Sequence, residues 1–175
     1  MAWYSGATKK ALTTNFVRGK MIHPIKGLVI HITDTKNETL EALFNDFNNP
    51  NQQGPKRSAH FGVAKDGEIW QFVDSDDVAF AVDGVWGGGG VDNHWVSVEN
   101  VAKFGEKLTD DQILTLAELL DWLHGLDGVP YTLANSKNDQ GLGYHKMFNI
   151  GNHACPGLLV VNQRQAILNL TDCGL

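Results

Sequence analysis

Gly27-Leu-Val-Ile-His-Ile32 sets the architecture of this chain. A short apolar run without polar alternation is the pattern of a strand covered on both faces, so a central position in a sheet is expected. His31 interrupts it where another aliphatic residue would ordinarily stand, and its presence needs a reason. Two other residues supply one. His145 follows Gly141-Leu-Gly-Tyr144, and Cys155 stands in His153-Ala-Cys-Pro-Gly157, so one irregular loop over 141–157 could fold both side chains back to the end of the strand. Imidazole and thiolate are ligands that zinc prefers, and three of them leave a fourth tetrahedral position open. Taken singly, His31 is more often a hydrogen-bonded core residue and Cys155 a small buried hydrophobe.

Working outward from that strand, Thr35 with Glu38 three residues on has capping-box spacing, and Leu40, Leu43, Phe44 and Phe47 repeat with helical period up to Asn48-Asn-Pro50. His60–Ala64 and Ile69–Val73 flank Asp66-Gly67, a hairpin signal, and Val78–Val82 reads as a further short strand. The glycine-rich connection 83–90 lacks the Gly-Lys-Ser/Thr ending and following helix of a phosphate cradle. Trp95–Asn100 alternates as a strand. Thr109 and Gln112 cap the strongest helix, with Ile113, Leu116, Ala117 and Leu120 on its inner face and Leu114, Leu119 and Leu123 widening it; a last helix is expected over about 159–170. Interleaved strands and helices with one tight hairpin predict an α/β fold: a single domain over 1–175, with a mixed central β-sheet flanked by helices.

The chain has 175 residues, 14 basic and 20 acidic side chains and a formal charge of −6, with no basic cluster longer than a pair. That excludes a nucleic-acid groove. Two cysteines do not make a disulfide framework, and apolar runs of about six residues are too short to insert in a membrane. The N-terminal residues carry no signal-peptide pattern, so synthesis in the cytoplasm is expected.

Leu28-Val-Ile-His-Ile-Thr33, Ser58-Ala-His-Phe-Gly-Val-Ala-Lys-Asp-Gly67, Val96-Ser-Val-Glu-Asn100, Gly143-Tyr-His145 and Ala154-Cys-Pro-Gly157, in that order, resemble the zinc-dependent N-acetylmuramoyl-L-alanine amidase family, which includes phage endolysins and peptidoglycan recognition proteins. The resemblance covers about residues 27–157. It implies one Zn2+ held by His31, His145 and Cys155, and Glu99 as the acid/base carboxylate. His153 stands where relatives often carry a lysine or threonine that supports the reacting oxygen, and is given that catalytic role here. Ala59 replaces a tyrosine found in some members, and Ala81-Val82 a frequent histidine. Trp86, Asn93 and His94 are weaker candidates for substrate contact, while His60 is expected to pack or orient a neighbour and His23 and His124 to be structural or surface residues.

The activity implied is hydrolysis of the amide between N-acetylmuramic acid and L-alanine in peptidoglycan by a monomeric endolysin that reaches the cell wall after release. Two other classes compete: a noncatalytic peptidoglycan-binding module of the same fold, and a cysteine peptidase with Cys155 as nucleophile and His145 or His153 as base. Pro156-Gly157 argues against the peptidase, because no extended helix directly follows the thiol to lower its pKa.

Overall fold

The computed structural model describes residues 2–35, 38–83, 90–150 and 154–171. Gly27–Ile32 forms a strand, β3, with all six residues buried. It runs between two parallel neighbours, β7 (Trp95–Asn100) and β8 (Gly141–Tyr144). Beyond β7 lie β4 (Phe61–Val63), β5 (Ile69–Gln71) and β1 (Thr8–Lys9), giving the order β1-β5-β4-β7-β3-β8 among the described residues. Only the β4–β5 hairpin is antiparallel in this sheet, so it is mixed, as the sequence predicts. Val78–Ala79 (β6) leaves the main sheet and pairs with Phe16–Val17 (β2), a shorter strand than the expected 78–82.

Strand alternation sorts the core into two faces. Leu28, Ile30, Ile32, Val96 and Val98 pack with Leu116, Leu119, Leu120 and Leu123 of helix α2 (Asp110–Asp127) and with Val160 and Ile167 of helix α3 (Leu158–Thr171). The opposite face carries Val29, His31, Trp95, Ser97 and Glu99. Trp95 and Val29 gather there with Met147 and Phe148, and helix α1 (Leu40–Phe47) covers the β4 side of that face through Leu43 and Phe47.

The cap of α2 is the capping box read from Thr109 and Gln112. Leu114 does not join its buried face and is 40% exposed. At about 100° per residue it lies roughly 160° from the centre of the buried arc near Leu116, whereas Leu119 and Leu123 fall within about 60° of that centre. For α1 the cap is Thr39, whose side chain accepts from the Ala42 N–H at 3.1 Å. Thr35 instead hydrogen-bonds Glu38 ahead of the helix, because the chain is still unwinding from β3 at that point.

The segment expected to be one irregular loop begins as a strand. Gly141 and Gly143 hide it in the sequence, yet the packing calls for glycine here: a Cβ on Gly141, whose φ is +110°, would lie 2.2 Å from the Thr132 carbonyl oxygen. A Cβ on Gly27 would lie 1.8 Å from the Gly141 carbonyl oxygen, and one on Gly143 would meet Met147 at 2.5 Å and Trp95 at 3.3 Å. Glycine therefore lets β3 and β8 close together above a large tryptophan. No helix among the described residues is long and apolar enough to cross a membrane.

Candidate metal centre and its cleft

Parallel pairing places the ends of three strands at one level. His31 is in register with Glu99, and Ile30 with Tyr144, so His145 follows directly beyond β8 at the height of His31. Because successive side chains alternate, His31 and Glu99 project to the same face of neighbouring strands. Their separation is 4.0 Å between His31 Nδ1 and Glu99 Oε1. The rings of His31 and His145 lie 4.6 Å apart. Asn100 fixes the first ligand's backbone by donating its amide to the His31 carbonyl at 3.0 Å.

Cys155 arrives from the other end of the 145–157 segment. The Ile32 N–H points at its Sγ at 3.4 Å, and its carbonyl accepts from Lys146 N–H at 3.1 Å, tying it to the 3-10 turn His145–Phe148. Ligand atoms of His31, His145 and Cys155 all lie within 4.8 Å of one another. Tetrahedral zinc with nitrogen at about 2.0–2.1 Å and sulfur at about 2.3 Å sets its donors roughly 3.3–3.6 Å apart. The cluster needs only a small contraction to reach that geometry, and its borderline-soft donor set suits zinc. The residues fit the ion.

Electrostatics mark the same place. Loss of solvent, with Glu38 nearby adding repulsion, pushes the Glu99 carboxyl up to about 8. Among the described residues its buried Oε2 has no hydrogen-bond partner. Burial, reinforced by the negative charge of Glu99, pushes the Cys155 thiol up to about 12. Such a thiol is a poor nucleophile at neutral pH, which weighs against the peptidase alternative, whereas a bound cation would replace its proton.

These groups floor a cleft of about 440 Å³ whose walls include Lys56, Arg57, Phe80 and Asp83. A larger hollow of about 680 Å³ lies between the start of α1, the β4–β5 turn and the segment after β7, but holds none of the three donors. Chemistry rather than size selects the smaller one. His153 and Trp86 lie outside the described residues.

Asn93 and His94 sit before β7, at the opposite end of that strand from Glu99, roughly 15 Å away at a strand's rise per residue. Asn93 is buried and donates to the Lys20 carbonyl at 3.0 Å, so it holds the N-terminal arm. His60 is fully buried between β7 and the loop after β5. Its Nδ1 accepts from Ser97 N–H at 3.1 Å and its Nε2 donates to the Asp77 carbonyl at 3.1 Å. Burial pulls it down to about 4, so it is a neutral structural histidine, as expected. His124 bonds the Val129 carbonyl and stacks on Tyr131, and His23 contacts Asp127.

A buried cation escaped the sequence reading: Arg164, at a position where α3 otherwise presents Val160, Ile167 and Leu168 to the core. An arginine falling on the apolar stripe of a helix is the signal that could have found it.

The fold is shared with solved structures of known type. The endolysin N-acetylmuramoyl-L-alanine amidase LysCS from Clostridium intestinale is 19% identical, with a TM-score of 0.65 over 93% of this chain and 96% of that one. A selenomethionine derivative of AmpD, also 19% identical, gives 0.73 over 95% and 96%. Peptidoglycan recognition protein-LE, solved in complex with tracheal cytotoxin, a monomeric diaminopimelic acid-type peptidoglycan, is 15% identical and gives 0.67 over 93% and 94%. Among curated proteins none matches the chain in sequence. Residues 22–158, which carry β3, Glu99 and all three clustered donors, match the N-acetylmuramoyl-L-alanine amidase family, and the chain belongs to that family.

Proposed function

We propose that the protein is a zinc-dependent amidase that cuts the bond between N-acetylmuramic acid and the first L-alanine of the peptidoglycan stem, in the manner of a phage endolysin. The observation that carries this reading is the convergence of His31, His145 and Cys155 beside the buried carboxylate of Glu99 at the floor of one cleft. A recognition module that only binds has no use for a carboxylate of raised pKa next to a complete donor set. The relation to the Clostridium intestinale endolysin supports the lytic role.

Zinc bound by these residues would supply Lewis acidity, making water reactive near neutral pH and polarising the scissile carbonyl. His31 and His145 would hold it through neutral imidazoles and Cys155 as a thiolate. Glu99 accepts the proton of the attacking water and delivers it to the departing amine, a task worth about a hundred- to ten-thousand-fold in rate. Glu99, its carboxyl pushed up to about 8 by burial, would have its pKa drawn back toward neutrality beside a bound dication, the range a general base needs at physiological pH. His153 is assigned to support the oxyanion and Trp86 to line the groove. His153→Ala should lower turnover while leaving bound zinc unchanged, and an unaltered rate removes that assignment.

The deciding experiment is mass analysis of digested peptidoglycan together with metal stoichiometry. One zinc per chain, glycan free of peptide and stems with a new L-alanine amino terminus are expected. Binding of muramyl peptide without cleavage in the zinc-loaded protein would move the chain to the recognition class.

A further inference from the structure

His145 and Cys155 are ten residues apart in a single connection, whose two ends are joined beside the donors by the Lys146 N–H to Cys155 carbonyl bond and, away from the cleft, by a side chain of α3. The connection leaves the sheet at the end of β8 and enters α3 at Leu158, three residues past Cys155. Arg164 spans that gap from the α3 side. It is 4% exposed. Its Nη1 donates to the Leu142 carbonyl of β8 at 3.0 Å and to the Ala134 carbonyl at 2.7 Å, and its Nη2 donates to Asn135 Oδ1 at 2.9 Å. Its Nε closes back on the Val161 carbonyl of its own helix at 3.2 Å. The guanidinium also lies 4.5 Å from the ring centre of Tyr144, the residue directly before His145.

Among the described residues, none of these partners is a carboxylate. A buried cation neutralised only by carbonyl dipoles is costly, and a residue matching Val160 and Ile167 would fill the same core position without that cost. What an aliphatic residue cannot do is grip two carbonyls and an amide from one planar fork while stacking on an aromatic ring. The grip ties the edge strand that ends just before His145 to the helix that begins three residues after Cys155.

We propose that Arg164 is the positioning residue of the metal centre: it staples β8 to α3 and thereby sets the distance between the second histidine and the cysteine. It acts through Leu142, Tyr144 and the frame of α3, and touches neither donor. The proposal rests on the metal reading above. It predicts that the staple is felt as metal affinity and ligand geometry, beyond what is felt as stability.

The test uses the whole chain as wild type, R164M, R164K and I167V. Zinc affinity is measured by chelator competition well below each melting temperature, and Co2+ is substituted to read the thiolate charge-transfer band of Cys155. R164M is expected to weaken zinc binding by about tenfold, the low end of what losing a partner bonded directly to a ligand does because Arg164 acts at one remove, and to shift or weaken the cobalt–thiolate band. R164K should recover only part, since one ammonium cannot replace the fork. I167V, on the same helix and in the same core, should lower the melting temperature and leave zinc affinity unchanged. Affinity of R164M within about twofold of wild type overturns the proposal, as does an equal loss in I167V. If R164M does not fold, R164K decides, and wild-type affinity in that variant is the overturning result. Wild-type protein that takes up no zinc refutes the metal reading and this one with it; tight zinc in the wild type with no effect at position 164 refutes this one alone.

Discussion

Replacing Glu99 by glutamine in the zinc-free protein turns the buried carboxylate into a stability measurement. Glutamine keeps the shape and cannot ionise. The folded protein holds the Glu99 proton up to about 8, whereas the unfolded chain releases it near 4.5. Between those values the native state binds more protons than the unfolded state, so stability falls as pH rises. The contribution is fully present below 4.5 and is lost as pH climbs through about 8. That interval, at about 1.36 kcal/mol per pH unit, is worth about 5 kcal/mol. The side chain is 19% exposed, so water reaches part of it and about 5 kcal/mol is a ceiling.

Against a domain stability of about 5–15 kcal/mol, a loss of even half that size is easily measured. Urea unfolding of wild type and E99Q in chelator from pH 5 to 9 gives the difference between the two, in which the titration of every group not coupled to Glu99 cancels. E99Q should match wild type at pH 5 and exceed it by roughly 2–5 kcal/mol at pH 9. With zinc restored, the same variant should keep its metal and lose about a hundred- to ten-thousand-fold in turnover. A difference that stays flat within about 0.5 kcal/mol across the range, or that grows toward acid, would refute the burial argument.

The remaining expectations concern other parts of the molecule. Cys155, its thiol pushed up to about 12, should react slowly with iodoacetamide at pH 7.5 in chelator, and rapid alkylation there would reinstate the nucleophile reading. His60 stays neutral down to about 4 while the unfolded histidine protonates near 6.5; its contribution is present above 6.5 and lost as pH falls through 4, a drop of about 3 kcal/mol at most. Nitrogen-15 histidine spectra should show the Nε2–H tautomer for it throughout pH 5–8. Thr39→Ala should cost about 1 kcal/mol in thermal or urea unfolding and Thr35→Ala only a few tenths, the reverse of what the capping-box spacing alone implies. Gly27→Ala would drive a methyl into the Gly141 carbonyl and should cost more than about 3 kcal/mol, read by the same unfolding assay.

What the sequence made legible follows from contrast. His31 stood out because imidazole is costly in a buried strand, and the pattern around Glu99 placed it on an equivalent strand. Thr109 with Gln112 read correctly because the two partners of the box stand three residues apart at a helix start, where local chemistry decides even though Gln112 is buried. Gly141–Tyr144 was not legible. Its strand character resides in pairing with Gly27–Ile30 and in the space its glycines leave for Trp95 and Met147, which are contacts at long sequence range. Asn93 and His94 looked close to Glu99 in sequence, but a strand separates its two ends by its full length. Arg164 was passed over because the helix it interrupts is only weakly periodic, and its partners on 134–142 are distant in sequence.

The parallel arrangement of β3, β7 and β8 explains why the centre sits where it does. Parallel strands deliver their ends to one edge, so a residue near the end of each arrives at a common level without any loop having to search for it. His31 and Glu99 share a register pair, and a slip of one residue would turn His31 into the α2 and α3 core and leave Glu99 facing nothing. The register is held independently of the site, by Leu28, Ile30, Val96 and Val98 packing on those helices. Two of the four reactive groups are thus placed by the hydrophobic core itself, and the late pair, His145 and Cys155, only has to be brought to them. This division predicts where damage spreads: core substitutions beneath β3 should disturb His31 and Glu99 together, whereas changes at the β8–α3 junction should move His145 and Cys155 and leave the first pair in place.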